Sequence, residues 1–368
     1  MANKEKELLE AIERKPTITN DELAKELGLA KTSVAVYVSR LLKEGRIRKL
    51  GYEVVDKRKS TVIGAVNKDV GGVSFAPLRK QDSNPGKVRV SVGGVGMNMA
   101  SNLALMGGTP RFITAYGEDE FTDMFINHCH KLDIDISCSK SVADAHNATY
   151  IYIGDEYGDM AMAMSDMEIV KEIDVALVSS MMDVINDSQV VALDTNLSRD
   201  VIQYVLENCQ RPVFIDPVST TKAEKLEGLL GHVHTIKPNI LEAEVLTGMK
   251  IREEKDVYKA AETIVEQGVQ QVYIGMGASG IVCCSQRDGI KEIKPIEVDV
   301  VNATGGGDAF MAGIMSGYML GFGLEDSAML GAGASAIAIG AESTINYQLS
   351  LEKAAEISGL SLEGIHYE

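Results

Sequence analysis

The sequence lacks the features that would carry it into or across a membrane. No uninterrupted apolar run approaches the ~18–20 residues that span a bilayer. The first residues, MANKEKELLEAIERK, have no apolar core of a signal peptide, so the expected location is the cytoplasm. Cysteine is scarce: five residues, an odd number, with no C-x-x-C pair. That pattern fits free thiols in a reducing compartment. His128-Cys129-His130 is metal-like, but zinc needs four ligands at characteristic spacings and no partner pair is evident, so no zinc site is expected. The G-x-x-x-x-G-K-[ST] loop is absent, which excludes a P-loop enzyme. No long repeat or low-complexity tract occurs. What remains is an ordinary globular balance, with 24% charged and 45% hydrophobic residues. Its 368 residues suffice for one large domain plus a small one.

Charge is split unevenly. The net −17 divides into +3 over residues 1–58 and −20 over the remainder. A basic head on an acidic body predicts two functions. Residues 1–57 read as three helices and a short strand pair. Leu8, Leu9 and Ile12 form the first buried stripe, and Pro16 is expected to end that helix. Thr19 and Glu22 make a capping box for the second. Lys31 to Glu44 forms the third, with Val34, Val38, Leu41 and Leu42 inward, and EGRIRKLGYEVV follows as a wing. The pattern resembles a winged helix-turn-helix domain. Between Gly28 and Tyr52 stand six basic residues and one acidic one. The expected double-stranded DNA surface is therefore Lys31, Thr32, Ser33, Tyr37, Arg40, Arg46, Arg48 and Lys49. The alternative is a protein-contact domain with a solvated charged face.

From Thr61 onward, short apolar runs alternate with amphipathic helices. TVIGAV, PRFITAY, QVVALD, PVFIDP, VHTIKP and QVYIGM suit a mostly parallel, doubly covered sheet in an α/β domain. NATYIYIGDEYGDMAMAMSD reads instead as an antiparallel hairpin, the pattern of a lid or an oligomer contact. GMGASG, Gly275 to Gly280, matches G-x-G-x-x-G. The strand-like IVCCS follows it where a dinucleotide site needs a helix, so it reads as a turn.

The most telling stretch is VNATGGGDAFMAGIMSGYM, Val301 to Met319. Glycines let backbone N–H groups crowd together, and a helix beginning just after them aims its dipole at the same point. Gly305, Gly306 and Gly307 therefore form a candidate anion hole. Asp308 stands at its mouth, where a carboxylate can accept a proton from an attacking hydroxyl. Taken alone, it could equally be a helix cap. A second stretch, GGVGMNMASNLALMGGTPRFITAYG (93–117), decides between these.

Together the two stretches resemble the paired signatures of the ribokinase-like, or phosphofructokinase-B, family of sugar and nucleoside kinases. The resemblance covers 61–368 and implies a doubly wound, mostly parallel sheet with a small β lid, near 70–92 and 147–166. It implies ATP and Mg2+ as cofactors and, through the lid, a homodimer. It makes Asp308 the catalytic base and places Asp69, Gly94 and Asn98 on the substrate. Asn239 and Glu242 of KPNILEAE, with Gly277 and Thr304, fall on the nucleotide and magnesium side. Departures from the pattern are Asn302-Ala303 where an acidic residue and Thr usually stand, Gly275 for Thr, and Gly306 for Ala. The first of these weakens the implied monovalent-cation site, a K+ site around Asn302, Thr304, Ala338 and Gly340. SNPGK before the first signature and SDM closing the hairpin resemble the pseudouridine kinases of that family. Pseudouridine is thus the expected substrate, phosphorylated on its 5′-hydroxyl, with the base met by Thr149 and Asp166. Alternatives are another nucleoside or a ribose-like sugar, or a transcription regulator that uses the kinase body as a sensor.

Overall fold

The computed structural model describes residues 2–15, 18–43, 46–48, 53–54, 58–157 and 159–362. The chain divides into two compact units, Met1–Lys57 and Arg58–Glu368.

The small unit holds helices Ala2–Arg14, Asn20–Glu26 and Lys31–Lys43, and an antiparallel strand pair, Ile47–Arg48 with Glu53–Val54. Pro16 and Glu44 lie outside the described residues. The capping box forms: Glu22 N–H donates to Thr19 Oγ1 at 3.2 Å, and Thr19 N–H donates to Glu22 Oε2 at 2.8 Å. Leu8, Ile12, Leu23, Val34 and Leu41 are wholly buried, since three amphipathic helices can hide their apolar stripes only against each other.

The large unit is built on an eight-stranded sheet. From one edge its strands are Gly289–Ile293, Ile281–Ser285, Gln271–Gly275, Thr235–Ile236, Val213–Asp216, Val190–Asp194, Lys59–Ile63 and Thr109–Ile113. The first three strands pair antiparallel in succession, and all later neighbours pair parallel. Both faces are covered. Val62, Ala192, Phe214 and Tyr273 belong to one core, under helices Val95–Leu105, Gly306–Met319 and Leu324–Ile339. Ile63, Leu193, Ile215 and Val272 belong to the other, under Arg199–Asn208 and Glu254–Glu266. This alternation explains the near-continuous apolar strands of the sequence. The expected first strand, 61–66, is shorter at its end: pairing stops at Ile63.

Helices Gly306–Met319 and Leu324–Ile339 touch backbone to backbone. A Cβ placed on Gly313 would lie 2.5 Å from Gly331 Cα, so only glycine fits that crossing. A separate four-stranded sheet forms the lid, in the order Met160–Asp166, Thr149–Gly154, Asn67–Ser74, Gly86–Gly93.

Candidate active site

The helix Gly306–Met319 starts from Gly305, whose φ of +85° is left-handed and open to glycine. Among the described residues, the N–H groups of Gly305, Gly307 and Asp308 meet no acceptor. They form the unfilled positive end of a helix. Asp308 sits in the first turn, buried, and Asn98 Nδ2 donates to its Oδ2 at 2.7 Å. Asn98 arrives on helix Val95–Leu105, which packs against the Asp308 helix. Burial pushes the Asp308 carboxyl up to about 8, and Asp216 adds repulsion. The Asn98 bond and the charge of Lys237 oppose that rise. A carboxyl held near neutrality suits a group that must take a proton and release it.

Lys237, Asp216 and Asp194 complete the centre, and the sequence analysis missed all three. Each lies at or just past the C-terminal end of a parallel strand, where open α/β sheets bind ligands. That position was the one readable signal. Lys237 Nζ lies 3.0 Å from Asp216 Oδ2. Burial alone would depress its ammonium, but Asp216, Asp308 and Glu242 together raise it above its ordinary value. Asp216 is itself held by the N–H of Val218 at 2.8 Å. Asp194 Oδ2 accepts the N–H groups of Ala65 and Gly96, both at 2.9 Å, and so fixes the first glycine loop. Its complete burial raises its carboxyl against the pull of those bonds.

On the nucleotide side, Asn239 caps helix Ile240–Thr247 in a reciprocal box with Glu242, both bonds 2.9 Å. Burial and the neighbouring Asp216 raise the Glu242 carboxyl. Gly275 bridges to Asn239, bringing the GMGASG turn alongside. That turn is a short 3-10 segment over Gly277–Ser279 leading into strand Ile281–Ser285.

Asn302, Thr304, Ala338 and Gly340 do meet in one loop cluster. Much of its oxygen is already engaged, however. Asn302 Oδ1 accepts from Thr304 N–H at 3.0 Å, and the Ala338 carbonyl accepts from Gly340 and Ala341.

The lid separates the remaining expected residues. Paired strand residues share a face, and successive residues alternate. Asp69 pairs with Ser91 and with Tyr150, and Gly71 pairs with Arg89 and with Tyr152. Asn67 Nδ2 donates to Asp69 Oδ1 at 2.5 Å, and a Cβ on Gly93 would collide with the Asp69 carboxylate. Gly94, at φ +102°, stands against the Ala65 carbonyl and Asn67 Oδ1. Burial pushes Asp69 up to about 6 against the pull of Asn67. On the same face Arg89 reaches Glu342 at 2.5 Å, beside the Asn302 loop. Thr149 and Asp166 pair with each other, and Thr149 pairs with Lys68, so both stand on the opposite face from Asp69. Thr149 Oγ1 donates to the Asn147 carbonyl, and Asp166 is exposed and caps Glu168 N–H. By register, then, the residues expected at the base and the residue expected at the ribose stand on opposite lid faces.

The model of the pfkB family carbohydrate kinases matches residues 57–350. The chain belongs to this family. It is 33% identical to the pseudouridine kinase of Escherichia coli (strain K12) over 297 residues, 80% of this chain and 95% of that one. It is 30% identical to an uncharacterized sugar kinase of the same organism over 359 residues, 97% of this chain and 99% of the other. The structure of Arabidopsis thaliana ribokinase complexed with ribose and ATP superposes with a TM-score of 0.73 at 18% identity, covering 83% of this chain and 99% of that one. At that identity the likeness speaks for the fold alone. The kinase is thus a phosphotransferase with a hydroxyl acceptor, and its family uses ATP with a divalent metal.

The residues present fit that pair. Open amides at Gly305, Gly307 and Asp308 suit phosphate oxygens. Among the described residues no group of three His, Cys, Asp or Glu could cage a metal. Glu242 offers a buried carboxylate beside the nucleotide loops, the sparse protein ligation a phosphate-carried Mg2+ needs.

In the kinase's small unit, the winged helix-turn-helix DNA-binding model matches residues 1–48. Thr32 is exposed and Ser33 half-buried on the third helix, and Lys31 pairs with Asp21 at 2.7 Å. Arg40 stacks over the half-buried Tyr37 and also pairs with Glu5. Arg46 pairs with Glu5 as well, at 3.1 Å. Lys49 lies outside the described residues, and of Arg48 only the backbone is described. Among the described residues, no helix is long and apolar enough to cross a membrane.

Proposed function

We propose that the kinase transfers the γ-phosphoryl group of ATP to the 5′-hydroxyl of a nucleoside, pseudouridine, as a cytoplasmic enzyme. The observation that carries this reading is the buried Asp308, held by Asn98 beside amides that meet no acceptor among the described residues. The 33% likeness to a pseudouridine kinase supports the choice of nucleoside.

Phosphoryl transfer needs alignment and charge neutralisation more than covalent help from the protein. Asp308 accepts the 5′-hydroxyl proton as that oxygen attacks. Gly305, Gly307 and Asp308 offer their N–H groups to the phosphoryl oxygens. Glu242 and Asn239 would hold Mg2+ on the nucleotide side, where it would supply charge neutralisation for the phosphates. Thr304 and Gly277 flank the nucleotide. Asp69 and Asn98 hold the ribose hydroxyls, and Gly94 leaves room for them. Selection of the base passes to the lid face that carries Asp69, where Ser91, Tyr150 and Tyr152 stand. The two tyrosine rings lie 6.1 Å apart there, an apolar surface for a heterocycle.

The other lid face supports a homodimer. Val88, Val90, Ile151, Ile153, Met162 and Met164 share that face by register, and all are exposed. Six large apolar side chains in water on one sheet face call for a cover. A second lid supplies one of the same chemistry.

The small unit, on this reading, docks its third helix on double-stranded DNA and holds phosphates with basic residues. The Glu5 pairs must yield, or stay, when Arg40 and Arg46 meet phosphate.

A competition assay tests the substrate. Protein, ATP and Mg2+ are given equal pseudouridine, uridine, inosine and ribose, and the products are separated by mass and retention. Pseudouridine 5′-phosphate should dominate. Dominance of ribose 5-phosphate or another nucleotide would retire pseudouridine and keep the kinase. Absence of any phosphorylated product would leave the body as a ligand sensor. The dimer reading fails if Met162→Asp with Met164→Asp leaves the mass in solution unchanged. The DNA reading fails if the full chain does not shift duplex DNA at low salt.

A further inference from the structure

Lys237 is a largely buried cation, held charged by Asp216, Asp308 and Glu242 and set beside a helix N-terminus. It follows strand Thr235–Ile236 by one residue and reaches beneath the first turn of the Asp308 helix. A Cβ built on Gly307 would lie 3.1 Å from Lys237 Nζ, so the ammonium lies against the anion hole itself. A helix N-terminus carries partial positive charge and disfavours a cation beside it. Two positive features that repel each other in the protein alone converge on one point. An anion placed between them answers both.

The ammonium is also held as a tool would be. It has three N–H donors, and among the described residues Asp216 is its one ion-pair partner, at 3.0 Å. Asp216 is anchored from its other oxygen by Val218 N–H. Val218 adopts φ +62°, a left-handed conformation that is costly for a β-branched residue. Strain at that point is tolerated where the neighbouring geometry matters to function.

We propose that Lys237 donates from Nζ to the phosphoryl group in flight, and that Asp216 is the residue that positions it. This assignment rests on the phosphotransferase reading above. In the step, the acceptor hydroxyl gives its proton to Asp308 and forms a new O–P bond. The bond between the γ-phosphorus and the oxygen bridging to the β-phosphate breaks, and its electron pair leaves on ADP. Charge spreads over the three equatorial oxygens as this happens. The Gly305, Gly307 and Asp308 amides meet them from the helix side, and Lys237 meets them from the sheet side. Lys237 is catalytic in this sense, because it touches the reacting group. Among residues near the centre it differs from Glu242, whose carboxylate addresses the metal.

The experiment compares the full-length wild type with Lys237→Met and Lys237→Arg. Turnover is measured with saturating acceptor, and ADP binding is measured by calorimetry with Mg2+ and acceptor, without and with aluminium fluoride. ADP with aluminium fluoride imitates the flat, charged phosphoryl group of the transition state. Wild type should bind it far more tightly than ADP alone. Lys237→Met should lose about 10²–10³ in kcat. Its ADP affinity should stay within about threefold of wild type, and the tightening by aluminium fluoride should largely vanish. Lys237→Arg should keep part of that tightening. If Lys237→Met fails to fold because Asp216 is left unpaired, the Lys237→Met/Asp216→Asn double variant removes the orphaned charge. That protein should recover its melting temperature and not its turnover. Near-normal kcat in Lys237→Met, or undiminished tightening by aluminium fluoride, overturns the assignment while the kinase reading stands. A wild type that makes no product and shows no tightening overturns both.

Discussion

Two glycine-rich loops launch helices in this protein, and they end in opposite chemistry. Gly94 and Gly305 both adopt positive φ, and the helices that follow them pack against each other. In the first loop the amides are already taken: Asp194 accepts the N–H of Gly96, and the Ala65 carbonyl accepts that of Met97. In the second loop the amides of Gly305, Gly307 and Asp308 meet no protein acceptor among the described residues, and a lysine stands beside them. A glycine turn before a helix is therefore only a frame. Whether it serves a ligand depends on what a distant strand sends to it, a carboxylate in one case and an ammonium in the other.

The sharpest way to break the second loop is to remove the carboxylate proposed as its base. Asp308→Asn should lower kcat by about 10²–10⁴, with acceptor binding largely kept, as steady-state and binding measurements on one preparation would show. The same change should steady the fold. The buried carboxyl holds its proton up to about 8, whereas an unfolded one releases it near 4. The stability from that raised value is complete below about 4 and lost as pH rises through about 8. Asp308→Asn should thus melt above the wild type, by a margin that grows across this window. Equal melting at pH 9 would count against the raised value.

Gly306→Val attacks the same loop by volume alone. A Cβ there would meet Ile339 Cγ2 at 2.6 Å. Displacing the amides should cost on the order of 10²-fold in kcat/KM for ATP. A variant with unchanged ATP kinetics would remove the amides from catalysis. The pH profile sharpens the same point. With Asp308 as the essential base, kcat/KM should fall about tenfold per unit well below its pKa, which lies near 8 in the free protein. A flat profile between pH 6 and 8 would point to another base.

The first loop should respond differently. Asp194→Asn keeps an acceptor for two of the amides but turns an NH2 toward the N–H of Asn196, which now donates to Asp194 Oδ1. The expected loss is about 1–3 kcal/mol of stability, readable as a lower denaturant midpoint, with any kinetic change falling on KM for the acceptor. A loss confined to kcat would mean that Asp194 does more than hold the loop. Smallest of all should be Arg89→Ala, which opens the exposed pair with Glu342. Such pairs contribute under about 1 kcal/mol, and a modest rise in acceptor KM is the expected sign.

These loops also show what was legible in the sequence. Asp308 and its three glycines sit in a compact pattern, so local spacing singled them out, while Asn98 came through the resemblance of the first glycine stretch. The doubly covered sheet was readable because strands buried on both faces are continuously apolar. Lys237, Asp216 and Asp194 were not readable, because each acts on a residue far along the chain: Asp194 meets Gly96 and Ala65 only through the packing of separate strands. That Thr149 and Asp166 stand on the face opposite Asp69 was not readable for another reason. A hairpin's alternation says which residues share a face, but only the register with Asn67–Ser74 says which face holds Asp69.

The crossing at Gly313 and Gly331 leaves the helix under Asp308 no slack, whereas the lid strands carry most of their side chains in the open. Mutation is therefore unequally tolerated along one chain. On the proposed reading, a descendant that shifts the Asp308 helix would lose the chemistry, but one that rewrites Ser91, Tyr150 or Tyr152 would keep the reaction and meet a different molecule. Change of acceptor, in a lineage carrying this protein, would then run through the lid.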